Sequence, residues 1–177
     1  MNLFKMRTDF LAPGLKRRHM APHPLDQFLF WFQDAITQYE DEANAMTLAT
    51  ASETGQPSAR TVLLKDCTGP GFSFFTNYES PKGQQLKANP QAALLFYWPS
   101  LHRQVRIEGR AEKIPTEKSE AYFQGRPWES QVGAWSSPLS HVPSSFEFCQ
   151  GQPSRLHDRF RYCLLANREW KLERLAP

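Results

Sequence analysis

Cysteine is scarce in this chain: three in 177 residues, at Cys67, Cys149 and Cys163, far apart and without a Cys-x-x-Cys pair. That excludes a disulfide framework and a cysteine zinc site, and it fits a reducing compartment. Long apolar runs are missing as well. None reaches the length that spans a bilayer, and residues 1–18 lack a signal peptide's apolar stretch and carry Asp9. The expectation is a cytoplasmic protein with no membrane partner. Charge of one sign is also lacking: a net +3 is too small to imply nucleic acid. There is no glycine-rich nucleotide fingerprint and no Gly-x-Ser-x-Gly elbow. His19, His23, His102 and His141 are scattered without ligand spacing, so no metal is expected. An enzyme with this inventory takes its hard chemistry from a bound organic cofactor.

Aromatics, by contrast, are plentiful at 13%, with thirteen Phe and five Trp, which favours a β-rich core or stacking surfaces. The length suits one domain. Residues 1–24 are polar and proline-bearing and read as a flexible N-terminal arm, leaving 25–177 as a single domain. A helix opens that domain, with Leu25, Phe28, Leu29, Phe32, Ala35, Ile36 and Tyr39 on one stripe and Phe30 and Trp31 off it. The period then shortens. Ala45–Thr50, Ala59–Lys65, Phe72–Thr76, Ala92–Trp98 and Gln104–Ile114 read as strands separated by turn residues. Ser80-Pro81 caps a helix to about Ala88, and Thr116 caps another over Glu117–Gln124. Residues 136–145, rich in Ser and Pro, read as a loop with little to pack. The fold class is mainly β with flanking helices (α+β), an antiparallel sheet closed as a barrel.

Residues with chemistry cluster in three places. Near the C-terminus, Arg155, His157 and Arg159 alternate in a segment that continues as a strand, so they share a face and suit an anionic small molecule. A solvated strand face is the plainer alternative. Phe75-Thr76-Asn77-Tyr78-Glu79-Ser80-Pro81-Lys82 runs from a strand into a helix N-terminus and offers amides, hydroxyls and a lysine to a phosphate, or is an ordinary capped start. Tyr122, Arg126 and Ser130 lie four apart, although Pro127 stops a helix at Arg126. Arg60 and Lys65 bracket Thr61-Val62-Leu63-Leu64, and five positions apart they fall on opposite faces of an ideal strand.

Taken in order, these motifs resemble the pyridoxamine 5′-phosphate oxidase family. The match runs through Gly55-Gln56-Pro57-Ser58-Ala59-Arg60, Leu63-Leu64-Lys65, Phe75-Thr76-Asn77, Arg103-Gln104-Val105, Tyr122-Phe123, Arg126-Pro127 and Ser130-Gln131-Val132-Gly133-Ala134. It ends on Arg155 to Arg159 and Arg174 to Pro177. The resemblance implies an FMN-binding split β-barrel of Greek-key type over 25–177, forming a homodimer with FMN between subunits. It implies FMN contacts from Arg60, Thr61, Val62, Leu63, Leu64, Lys65, Phe75, Thr76, Lys82, Gln104, Ser140 and Arg159. Substrate contacts would come from Lys65, Tyr122, Arg126 and Ser130 at the phosphate, from Arg155 and His157 over the ring as the catalytic pair, and from Arg7 and Phe10 on the arm.

The reaction so implied is oxidation of pyridoxamine or pyridoxine 5′-phosphate to pyridoxal 5′-phosphate, with O2 reduced to H2O2. The alternative is a non-catalytic or weakly active shortened variant that binds FMN or pyridoxal phosphate. Three departures mark this chain. Pro81 stands where the family has an arginine between Ser80 and Lys82, and Leu139 replaces a glutamine beside Ser140. The family's helix and Trp-Gly-Gly strand are missing between Ser140 and Gln150, where Cys149 takes a tryptophan's place. Loss of that strand is expected to leave backbone groups unpaired and part of the barrel open.

Overall fold

The computed structural model describes residues 14–67, 71–114, 136–152 and 157–176, with the side chains of 41 and 136–141 left aside. Helix α1 (Pro24–Tyr39) comes first, then β1 (Ala45–Ala51), β2 (Pro57–Leu63), β3 (Phe72–Asn77), α2 (Pro81–Ala88), β4 (Gln91–Trp98) and β5 (Arg103–Lys113). After the undescribed stretch follow β6 (Ser136–Gln150), β7 (Asp158–Leu164) and β8 (Trp170–Leu175). The strands are ordered β2-β1-β4-β5-β6-β7-β8, with β3 on β6. The register pairs that can be read, such as Ala45 opposite Leu63 and Phe146 opposite Tyr162, are antiparallel. The chain divides into two compact units: the described residues of Met1–Ala43, Tyr97–Arg106 and Ser145–Pro177, and those of Asn44–Phe96 and Ile107–Ser144.

In the second unit the alternation of sequence becomes alternation of burial along β1 and β4, whereas β3 is buried from Phe72 through Phe74. Met46 and Leu48 of β1, Leu94 and Phe96 of β4, and Phe72 and Phe74 of β3 point inward. Phe72 and Phe96 meet with ring centroids 6.4 Å apart. Helix α2 starts as expected. Ser80 accepts the Gly83 N–H at 3.3 Å, and Pro81 takes a position where no intrahelical donor is needed. Gly83 is obligatory for a separate reason: a Cβ there would fall 2.6 Å from the Asn77 carbonyl and closer still to that of Tyr78.

The first unit packs α1 against β6, and β6 against β7. Trp31 meets the edge of Phe148 at 5.3 Å, Phe148 meets Tyr162 at 5.8 Å, and Phe28 stacks on Phe32 at 5.3 Å. Tyr162, fully buried, donates to the Ala21 carbonyl at 2.5 Å, and Trp98 Nε1 donates to Ala43 at 3.1 Å. Asp158 gathers two distant stretches: Oδ2 accepts the Leu15 N–H at 2.9 Å, and Oδ1 takes Arg174 Nη2 at 2.6 Å.

Three expectations need correction. The buried face of α1 is Pro24, Gln27, Phe28, Trp31 and Ala35, whereas Leu29 (42%), Phe30 (65%) and Ile36 (39%) lie exposed. The larger apolar surface of Trp31 and the hydrogen bond from Ala21 N–H to Gln27 outweigh the counted stripe. Residues 136–145 are strand, not loop. Ser136–His141 ladder onto Asn77–Phe72, and β6 then continues to pair Ser145–Gln150 with β7. The shortened passage from Ser140 to Gln150 is therefore one continuous strand, with backbone partners at both ends, rather than a gap. The helix expected over Glu117–Gln124 lies outside the described residues.

Candidate functional site

Alternation on β6 builds the candidate site. Phe146 and Phe148 face the core, so Glu147 and Cys149 face the other way, beside Arg159 and Arg161 of β7. On that side, within the first unit, opens a cavity of about 430 Å³ lined by residues that include Gln104, Arg106, Glu147, Cys149, His157 and Arg159. Arg103 borders it too, fixed by Asp34 at 2.6 Å, by Gln150 at 3.1 Å and by the face of Trp31 at 4.7 Å.

Glu147 is the hub. It is 5% exposed, yet it keeps its charge company. Arg159 donates to Oε1 through Nε at 3.0 Å and sets Nη2 at 2.9 Å, while Arg106 Nη2 reaches Oε2 at 2.7 Å. The remaining nitrogen of Arg159 donates to the Ala176 carbonyl at 2.9 Å. A carboxylate this deeply buried is tolerated only when its oxygens are met in this way. The hydrogen bond that Arg159 donates to Glu147 pushes its guanidinium further into the charged form. Burial, then the Glu147 charge, pushes the Cys149 thiol up, so the cysteine stays protonated against the partial opposition of Arg159. His157 Nδ1 accepts the Gln152 N–H at 3.2 Å, which leaves Nε2 to carry the proton of the neutral ring.

Of the residues singled out from sequence, Gln104, His157 and Arg159 come together here. The strand face expected to carry Arg155, His157 and Arg159 together does not extend to His157, because β7 begins only at Asp158. His157 and Arg159 share the cavity nonetheless. Arg7, Phe10, Tyr122, Arg126, Ser130 and Arg155 lie outside the described residues. So does the side chain of Ser140, whose backbone pairs with Ser73. Glu147 and Arg106 were missed. The signal for Glu147 was an acid between two phenylalanines, Phe146-Glu147-Phe148, which a strand places on a single face with Cys149.

The second unit holds the other group. Arg60 donates to the Leu48 carbonyl at 3.1 Å, to Thr50 at 2.7 Å and to Gln85 at 3.2 Å, and burial lowers its pKa. Gln85 links that cluster to Ser58 at 3.1 Å, so β1, β2 and α2 together hold the guanidinium. Thr61 and Leu63 are exposed, Val62 half-buried and Leu64 buried. The parity problem between Arg60 and Lys65 disappears because β2 ends at Leu63. Leu64 N–H then bonds Asn44 and Lys65 N–H bonds Ser73, so the chain has changed partner before Lys65. Half-buried Phe75 and buried Thr76 lead to α2, where Thr76 Oγ1 lies 3.4 Å from Ser80 Oγ and Lys82 is half-buried.

Arg60, Lys65, Thr76, Ser80 and Lys82 of the second unit carry the kinds of group, cations and hydroxyls, that a phosphate ester takes. The Gln104 amide offers the paired donor and acceptor that an imide edge demands. The residues present therefore fit FMN by their chemistry. Among the described residues no cluster of His, Cys, Asp and Glu could hold a metal ion, and no helix is long and apolar enough to cross a membrane.

Comparison with known proteins bears on the family and the fold. Residues 32–160 match the family model described as pyridoxamine 5′-phosphate oxidase. A pyridoxine/pyridoxamine 5′-phosphate oxidase of Cupriavidus necator is 44% identical over 209 aligned positions, covering 99% of each chain. One from a Nostoc species is 43% identical, covering 97% of each. An alignment of 209 positions against 177 residues leaves at least 32 positions where this chain has nothing, in keeping with a shortened member.

The crystal structure of PhzG from Burkholderia lata, in complex with tetrahydrophenazine-1-carboxylic acid, shares the fold. Its TM-score is 0.83 at 23% identity, over 94% of this chain and 99% of that one. A pyridoxamine 5′-phosphate oxidase-related, FMN binding protein from Nostoc punctiforme gives 0.70 at 19% identity, over 89% and 100%. The fold is thus the expected one, mainly antiparallel β with flanking helices, of the split-barrel kind. On the family match and full-length identity, the chain belongs to the pyridoxamine 5′-phosphate oxidase family.

Proposed function

We propose that this chain is an FMN-dependent oxidase that converts pyridoxamine or pyridoxine 5′-phosphate to pyridoxal 5′-phosphate, acting in the cytoplasm as a homodimer. The observation that carries the reading is the cavity that gathers Gln104, His157 and Arg159 with Arg103 and Arg106 around it, in a chain of this family. FMN, when bound, would supply the two-electron acceptor for the hydride leaving the substrate's 4′ carbon, with O2 taking the electrons on to H2O2; pyridoxine phosphate gives the aldehyde on loss of its hydroxyl proton, and pyridoxamine phosphate gives an iminium that water hydrolyses to the aldehyde with release of ammonia. Arg60, Lys65, Thr76 and Lys82 would hold its phosphate, and Gln104 and Arg159 the rest. Thr61, Val62, Leu63, Leu64, Phe75 and Ser140 would complete the contact.

His157, with its proton on Nε2, can donate to an oxygen or nitrogen of the substrate, and Arg155 would orient the ring beside it. Tyr122, Arg126, Ser130 and Lys65 would bind the substrate phosphate, with Arg7 and Phe10 covering it. The test is direct. Purified protein supplied with FMN should show bound flavin by absorbance, then yield aldehyde and peroxide with either substrate. Flavin retention with no product from either substrate would leave a binding protein and overturn the oxidase reading.

A further inference from the structure

Arg106 has no part in the proposed flavin contacts, yet it sits on the cavity wall and engages the same carboxylate as Arg159. We propose that Arg106 is a positioning residue for the flavin site: it holds Glu147 so that Glu147 in turn sets the guanidinium of Arg159. The proposal rests on the reading of Arg159 as an FMN contact. Glu147 reaches Arg159 through Oε1 and Arg106 through Oε2, so the two arginines share one carboxylate by opposite oxygens.

With Arg106 in place, each oxygen has a cationic partner and the carboxylate has one satisfied orientation. Removing Arg106 leaves an oxygen of a side chain that is 95% buried without that partner. The carboxylate is then free to turn toward Arg159 alone and to draw the fork away from the cavity.

The geometry distinguishes the two arginines. Arg159 engages Glu147 through two nitrogens, which lysine cannot reproduce, whereas Arg106 reaches it through Nη2, a contact that a lysine ammonium can make. Lysine should therefore serve at 106 and fail at 159.

The experiment titrates FMN with the full-length apoprotein and reads quenching of flavin fluorescence. R106M should weaken FMN binding by about five- to tenfold, and E147Q by about tenfold or more. R106K should stay within about threefold of the parent, and R159K should not. In the E147Q background R106M should change the dissociation constant less than about twofold, because its only route to Arg159 is gone. Wild-type affinity in R106M, or losses that simply add in the double variant, would overturn the proposal. Failure of the wild-type chain to bind FMN at all would instead overturn the functional reading beneath it.

Discussion

Single side chains in this molecule are held by partners that their own neighbourhood in sequence does not reveal. Arg159 was legible as a cation on a strand face, because alternation through Phe160 and Tyr162 puts it opposite the core. That its fork would be filled by Glu147 was not, since the pairing depends on which strand lies beside β7. Arg159→Ala should weaken FMN binding roughly ten- to a hundredfold by isothermal titration, the cost of a charge-assisted hydrogen bond. His157→Ala should retain flavin at the parent's affinity while turnover falls, so kcat and flavin Kd separate the two roles.

Tyr162 offers a third test at this scale. Burial, with a smaller push from the Asp26 charge, raises its hydroxyl to about 12 from an ordinary 10. A folded value above the unfolded one means that the folded state holds the proton longer. The stability it contributes is complete below pH 10 and is lost as pH rises through 12. Tyr162→Phe should flatten the alkaline limb of a pH–stability curve in that window, measured by chemical denaturation.

At the scale of elements, strands with strict alternation were readable and those built on unusual residues were not. β1 and β4 announce themselves by period two, and their bounds come within a residue of expectation. β6 hides because Ser136–Ser145 carries Pro138 and Pro143, residues that a strand accepts only where no ladder donor is required. Its pairing is decided by β3 and β7, long-range partners that no local pattern encodes. Helix α1 was found but turned on its axis, because burial of Trp31 is settled by Phe148, more than a hundred residues away.

Helix α2 supplies the element-scale prediction. Ser80→Ala should cost about 1 kcal/mol through loss of the cap. Gly83→Ala should cost more, about 1–3 kcal/mol, because its Cβ would press into the Asn77 and Tyr78 carbonyls, backbone atoms that cannot step aside. Thermal melts of the two variants should rank in that order.

For the molecule as a whole, the abundance of aromatics divides into two kinds. Trp31, Phe96 and Trp98 are spent on the core, whereas Phe30 (65%) and Tyr97 (61%) stay exposed in the first unit with Leu29 and Ile36. Apolar surface of that sort is what a partner subunit covers. Light scattering after size exclusion should report a homodimer, and Phe30→Glu with Tyr97→Glu should shift it toward monomer and weaken flavin retention together. A flavin-loaded monomer would separate assembly from the site. The family was legible from motif order alone; the continuity of β6 across the shortened passage was not, because absence of a segment does not say how the chain rejoins.

Asp158 makes the two ends of the described chain neighbours, with Leu15 on one carboxylate oxygen and Arg174 on the other, while Ala176 lends its carbonyl to Arg159. For anyone handling the protein this is a practical hazard. Deleting residues 174–177, or straining them, removes no residue of the cavity wall. It nonetheless takes one partner from Arg159 and one from Asp158 at a stroke. A preparation clipped by so little would lose two residues of β8 and, with them, its grip on flavin.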